Sequence, residues 1–262
     1  MFTERDRYKG LRYLTLGIFV MLAASCKTSA PESFKLKTAM PANFRLNALA
    51  SYAPATGETC TAKRRTPTRF PFKSELQEAA HTVEFDIPLA KIADSCPLVL
   101  KNIKLDIRGQ YGPDREDGDS DFAWLSFLDS PADNTTDDPG LIDKLFNGQC
   151  QWLFRTMGPN RYLAKILRCR AEAENGQVLL RAAGGTFQRD RLARKIIDIS
   201  FNIAREEEPY FEKSWLKTPL GWKACTGRWG SKNEEYCTTP PHFMEFKMPD
   251  GKACFIYPSC AE

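Results

Sequence analysis

The sequence predicts a mainly β protein: an antiparallel β-sandwich with a small disulfide-rich C-terminal region and a disordered N-terminal tether. Three observations carry this. Short segments alternate apolar and polar residues, most clearly Ile197, Ile199, Phe201 and Ile203 against Asp198, Ser200 and Asn202. Turn signals such as Asn175-Gly176 and Pro249-Asp250-Gly251 separate these segments. Cysteines gather towards the end, where about fifty residues from Tyr210 hold four cysteines, three tryptophans and few aliphatics. The resulting division is a leader over 1–25, a tether over 26–72, a sandwich over 73–208 and a Cys/Trp-rich region over 209–262.

The leader places Arg5, Arg7, Lys9 and Arg12 ahead of an 11-residue apolar run, Leu14 to Ala24. A bilayer-spanning helix needs roughly 20 such residues, so this is the length of a signal-peptide core. Leu22-Ala23-Ala24-Ser25-Cys26 resembles the lipobox of bacterial lipoproteins, although Ala23 stands where leucine is commonest. The resemblance implies cleavage before Cys26 and acylation of that cysteine, palmitate included. Two or more acyl chains anchor stably where one binds only marginally. Lys27 replaces the aspartate of the inner-membrane retention signal, which by the same resemblance favours the outer membrane.

Residues 26–72 read as a tether because Pro31, Pro41, Pro54, Pro67 and Pro71 interrupt a Ser/Thr/Ala/Lys background. Charge divides here. Residues 27–73 carry nine Lys/Arg against Glu32 and Glu58, a net of +7, and residues 74–262 carry 24 against 29 acids, a net of −5. A basic segment beside an acylated cysteine suits anionic headgroups, and an acidic body argues against nucleic acid as a partner.

Within the body, His81–Leu89 and Leu98–Arg108 alternate as half-buried strands, and Phe122–Leu128 reads as a short buried one. Cys150–Met157 and Tyr162–Cys169 form a hairpin about Gly158-Pro159-Asn160-Arg161. With Met157 facing Tyr162, Cys150 falls opposite Cys169. A helical period over Arg161–Glu174 competes with that reading. Val178–Ala183 forms a strand that Gly184-Gly185 breaks, and Phe243–Met248 with Lys252–Tyr257 make a last hairpin.

Eight cysteines besides Cys26, in an exported chain, read as four disulfides. The register gives Cys150–Cys169, and Cys60–Cys96 then links tether to body. In the tail, Cys225 or Cys237 is favoured as the partner of Cys254, with all three connectivities of the four cysteines left open.

Catalytic signals are weak. No Gly-x-Ser-x-Gly elbow occurs, and His81 and His242 are too far apart in sequence for a zinc motif. Asp117, Asp119 and Asp121 repeat as Asp-x-Asp-x-Asp, like the first half of an EF-hand loop. Phe122 occupies the required glycine and Leu128 the bidentate glutamate, which leaves a weak calcium site. No other cofactor is indicated. Trp215, Trp222 and Trp229 are the candidate ligand-binding aromatics, for sugar stacking or a protein partner. The expectation is a lipid-anchored, non-enzymatic protein contacting an envelope protein or glycan, with an envelope hydrolase using scattered carboxylates as the alternative. Metabolic labelling with an alkyne fatty acid should tag wild type and not Cys26→Ala, and equal labelling of both would refute acylation there.

Overall fold

The computed structural model describes residues 32–60, 68–114, 116–129, 145–227, 230, 232 and 234–260. Cys26, Trp229 and the leader lie outside these. Every element below belongs to one compact unit, Pro31–Glu262.

Eleven strands build the body: β1 (Ser33–Met40), β2 (Phe44–Pro54), β3 (Arg69–Lys73), β4 (His81–Pro88), β5 (Ala90–Ala93), β6 (Cys96–Gln110), β7 (Gly118–Leu128), β8 (Asn147–Met157), β9 (Tyr162–Glu172), β10 (Gly184–Gln188) and β11 (Ile196–Ile203). One sheet runs β9-β8-β11-β1-β4, and the other runs β10-β7-β6-β2-β3 with β5 beside β6. Their inner faces share one core, where Phe34 of the first sheet meets Phe127 of the second at 5.6 Å between ring centroids. The sandwich is mixed in direction. β11 pairs parallel with both β1 and β8, and β10 pairs parallel with β7, whereas the remaining body pairings are antiparallel, apart from a short parallel addition to β8 described below.

The largest correction concerns residues 26–72. Far from a tether, residues 33–54 are two central strands. Phe34, Leu36 and Met40 of β1 and Phe44, Leu46, Ala48, Ala50 and Tyr52 of β2 are all buried. Their period of two is present in the sequence, but the inward positions of β2 include small alanines and the flanking prolines resemble a linker. Burying each Leu or Phe contributes about 1.5–3 kcal/mol, so this segment supports the sandwich. Asn43, at φ 61°, turns β1 into β2.

Two smaller corrections follow. No strand forms over 178–183, and β10 begins instead at Gly184. Gly184 has φ 117°, and a Cβ there would collide with the Trp124 carbonyl. Gly184 therefore permits a close strand approach instead of ending one. In β7, only Ala123, Leu125 and Phe127 are buried, and Phe122 and Trp124 point outward with Lys104 Nζ 4.2 Å from the Phe122 centroid.

The hairpin reading holds over the helical one: β8 and β9 pair from Asn147↔Glu172 to Met157↔Tyr162, with Cys150 opposite Cys169. That disulfide and Cys60–Cys96 form as expected. The 19-residue separation of the former corresponds to about 3 kcal/mol in the chain-entropy model.

The C-terminal region adds β12 (Glu208–Pro209), β13 (Trp215–Thr218), β14 (Gly221–Thr226), β15 (His242–Phe243), β16 (Phe246–Lys247), β17 (Ala253–Cys254) and β18 (Ile256–Pro258). It is continuous with the first sheet, because β12 extends β8 in parallel and β16 meets β9. A second small core forms on Phe154 and Leu163. Of the three open tail connectivities the structure has Cys225–Cys237 with Cys254–Cys260, so neither partner favoured for Cys254 is the one it takes. After β18 the Cys260 N–H donates to the Ile256 carbonyl at 2.7 Å, folding the chain back onto Cys254. That local return is what a reading of hairpins alone omits.

Leu36→Ala should lower the free energy of unfolding by about 2–5 kcal/mol, read as a drop in urea midpoint. A change within about 0.5 kcal/mol, the usual size for an exposed site, would restore the tether.

Candidate functional site

At the end of the sandwich where β1 turns into β2, the two sheets part around a cavity of about 870 Å³. Its walls include Phe44, Tyr111, Pro113 and Trp152, with Asn43, Gln110, Lys165, Glu78 and Glu207 as polar groups. Trp152 meets Phe44 at 6.2 Å and Tyr111 edge-on at 5.2 Å between centroids. Gly109 makes this possible. A Cβ there would lie 2.7 Å from both the Phe44 and Trp152 rings, so the aromatic wall is seated on a missing side chain.

Lys165 is the buried-face cation of β9. It donates to Glu207 Oε1 at 2.7 Å, and its Nζ lies 5.4 Å and 5.7 Å from the Tyr111 and Tyr257 centroids. The Tyr257 hydroxyl donates to the other Glu207 oxygen. Burial, reinforced by the Glu207 hydrogen bond and charge, pushes the Tyr257 phenol well above its ordinary range. Tyr111 is also raised, chiefly by burial. The result is an aromatic chamber with one compensated ion pair and several hydrogen-bonding groups.

The expected residues stand elsewhere. Asp119 and Asp121 lie on β7, which runs against β9 of the opposite sheet. Asp119 Oδ2 accepts the Leu167 N–H at 2.9 Å, and Asp121 Oδ2 accepts the Cys169 N–H at 2.8 Å. The alternate spacing of the carboxylates thus matches the alternate amides of a strand, not an ion. Asp117 is turned into its own loop, where Oδ2 accepts the Asp114 N–H at 3.3 Å. Among the described residues no group of three or more His, Cys, Asp or Glu converges as a metal site. The calcium expectation is therefore not supported by the arrangement of these three side chains.

The tryptophans are also reassigned. Trp215 is 4 % exposed and packs edge-on against Phe154 at 4.9 Å, with Phe246 at 5.4 Å. Trp222 is partly buried 6.0 Å from Phe154, under the Lys217 ammonium. They fill the small C-terminal core, which has few aliphatics to do so. His81 heads β4 and His242 lies in β15, in different sheets. Ser214-Trp215-Leu216-Lys217 has the Ser-x-x-Lys spacing, yet its lysine turns to Glu206 at 3.5 Å and to the Trp222 ring. All eight described cysteines are disulfide-bonded.

Sequence reasoning missed the cavity residues. One signal was available: in the hairpin register Lys165 shares a face with Leu163, Leu167 and Cys169, and a lysine on a buried face requires a partner. The chain matches no protein-family model, no curated protein and no solved structure.

Asp119→Ala and Asp121→Ala should each lower stability by about 1–3 kcal/mol, since each leaves an amide of β9 unpaired. The loss should be equal in 10 mM calcium and in EDTA. A calcium-dependent difference in melting temperature would return these residues to metal binding.

Proposed function

We propose that the protein is a lipid-anchored component of the bacterial cell envelope, held in the outer membrane through Cys26, whose β-domain binds an envelope glycan without chemistry. The observation that supports this reading is the cavity: aromatic walls from Phe44, Tyr111 and Trp152 beside the polar Gln110, Asn43 and Lys165. Small-molecule sites are apolar chambers with a few placed polar groups, and a sugar ring offers an apolar face and hydroxyls to match. The Lys165–Glu207 pair compensates itself and leaves the exposed Glu78 as the one uncompensated charge of the lining, which suits a neutral saccharide better than a strongly anionic one.

A hydrolase would need a carboxylate pair with one member free to protonate a leaving group. Of the two carboxylates lining this cavity, Glu78 is exposed and Glu207 already accepts from both Lys165 and Tyr257. That engagement supports binding over turnover.

The test is a panel of peptidoglycan fragments and envelope oligosaccharides, read by ligand-observed NMR and product analysis. At least one should bind, unchanged after incubation. Gln110→Ala and Lys165→Ala should weaken it at least tenfold, about 1.4 kcal/mol. Cleavage of the ligand would establish the hydrolase, and binding indifferent to both substitutions would remove the cavity from the function.

A further inference from the structure

The chain enters the body at Ser33, and the end of the sandwich where it does so has a composition of its own. The Glu32 carbonyl accepts the Leu89 N–H and the Ser33 carbonyl accepts the Arg194 N–H, both at 2.8 Å. These bonds clamp the entry between the β4–β5 corner and the segment leading into β11. That segment, Arg189 to Lys195, carries four cations and one acid. Arg189 is not on display, since it is buried, donates to the Leu100 carbonyl and pairs with Asp129. Arg191, Arg194 and Lys195 are exposed, and next to them Ile196 is 61 % exposed. On the same end, the tight turn at Asp94 and Ser95, both with positive φ, presents Ile92 at 82 % exposure. The acids here are Glu32, Glu58, Asp94, Asp129 and Asp190, with Asp129 taken up by Arg189 and Lys101, so the excess of positive charge is local to the strand-entry segment.

Chain length turns this composition into a constraint. Only six residues separate Cys26 from Ser33. At most about 3.6 Å per residue, an acylated Cys26 holds Ser33 within about 25 Å of the lipid headgroups. A tether reaching to residue 72 would have imposed no such closeness. The cavity lies at the opposite end, because β6 runs from Cys96 beside β5 to Gln110 at the cavity wall.

We infer that the Ser33 end of the sandwich docks on a phospholipid surface, with Ile92 and Ile196 entering the headgroup layer and Arg191, Arg194 and Lys195 meeting its phosphates. Exposed aliphatics flanked by cations are the chemistry of interfacial binding. This docking rests on acylation at Cys26 for its closeness to the membrane, but the surface itself is testable without the acyl chains. It fixes the orientation of the body, with the entry end on the bilayer and the cavity facing away.

Residues 27–262 contain the whole compact unit and all four disulfides, so they serve as the non-acylated probe. They should co-sediment with vesicles of phosphatidylethanolamine and phosphatidylglycerol (3:1) at low salt, and less at 0.5 M salt. Joint reversal of Arg191, Arg194 and Lys195 to Glu should weaken binding at least tenfold. Ile92→Asp with Ile196→Asp should weaken it as well, whereas Arg168→Glu with Arg170→Glu on the sheet face should not. No binding by wild type, or equal binding by the reversed variant, overturns the docking surface. If a variant melts early, hydrogen exchange on the vesicle-bound wild type decides: slowed exchange at 90–95 and 191–196 supports docking, and unchanged exchange overturns it. Labelling at Cys26 is read separately, so a chain that is acylated but whose body ignores vesicles refutes the docking alone.

Discussion

Along β9, alternate amide N–H groups point away from β8, and every buried one must find an acceptor. The Leu167 amide bonds Asp119, Cys169 bonds Asp121 and Ala171 bonds the Arg181 carbonyl. Two of these three acceptors are side chains of β7 in the opposite sheet. The row therefore closes one long edge of the sandwich with hydrogen bonds where packing alone would leave a strand open to pairing with other chains. It also selects the hairpin register. A slip of one residue would turn Leu163, Leu167 and Cys169 outward and present the wrong amides to the two aspartates.

From that register the cavity follows. Lys165 is held on the inner face between residues whose burial is complete, so its charge has to be met inside. Glu207 meets it, delivered by the stretch that leads into β12, and Tyr257 completes the arrangement from the far end of the chain. Trp152, directly across from Leu167, closes the wall with Tyr111. Three distant stretches of sequence are thus brought to one chamber by a single strand pairing.

The C-terminal region solves a different problem. Its strands are two to six residues long and cannot bury a core of their own. Phe154, reaching out of β8, supplies an anchor around which Trp215, Trp222 and Tyr257 pack with centroids at 4.9, 6.0 and 4.5 Å. Two short-range disulfides hold what so little apolar surface would not. Trp215 and Trp222 are consumed by this packing, and the exposed aromatics of the described structure include Phe122 and Trp124 on β7 instead.

The sequence by itself determined the class of the fold, several body strands and two disulfides. Period-two alternation is a local property, legible at Ile197–Ile203, and the pairing of Cys150 with Cys169 follows from a four-residue turn. The same alternation in residues 33–54 was masked by small and polar neighbours, because composition argued for a linker while burial depended on partners far along the chain. Only the tertiary structure decided that Asp119 and Asp121 serve amides 48 residues away, that β11 runs parallel between β1 and β8, and that Lys165, Glu207 and Tyr257 meet. Contacts between sheets join residues whose separation has no periodic signature. Which acceptor satisfies which donor is settled when the two faces close, and nothing local to either strand records the choice.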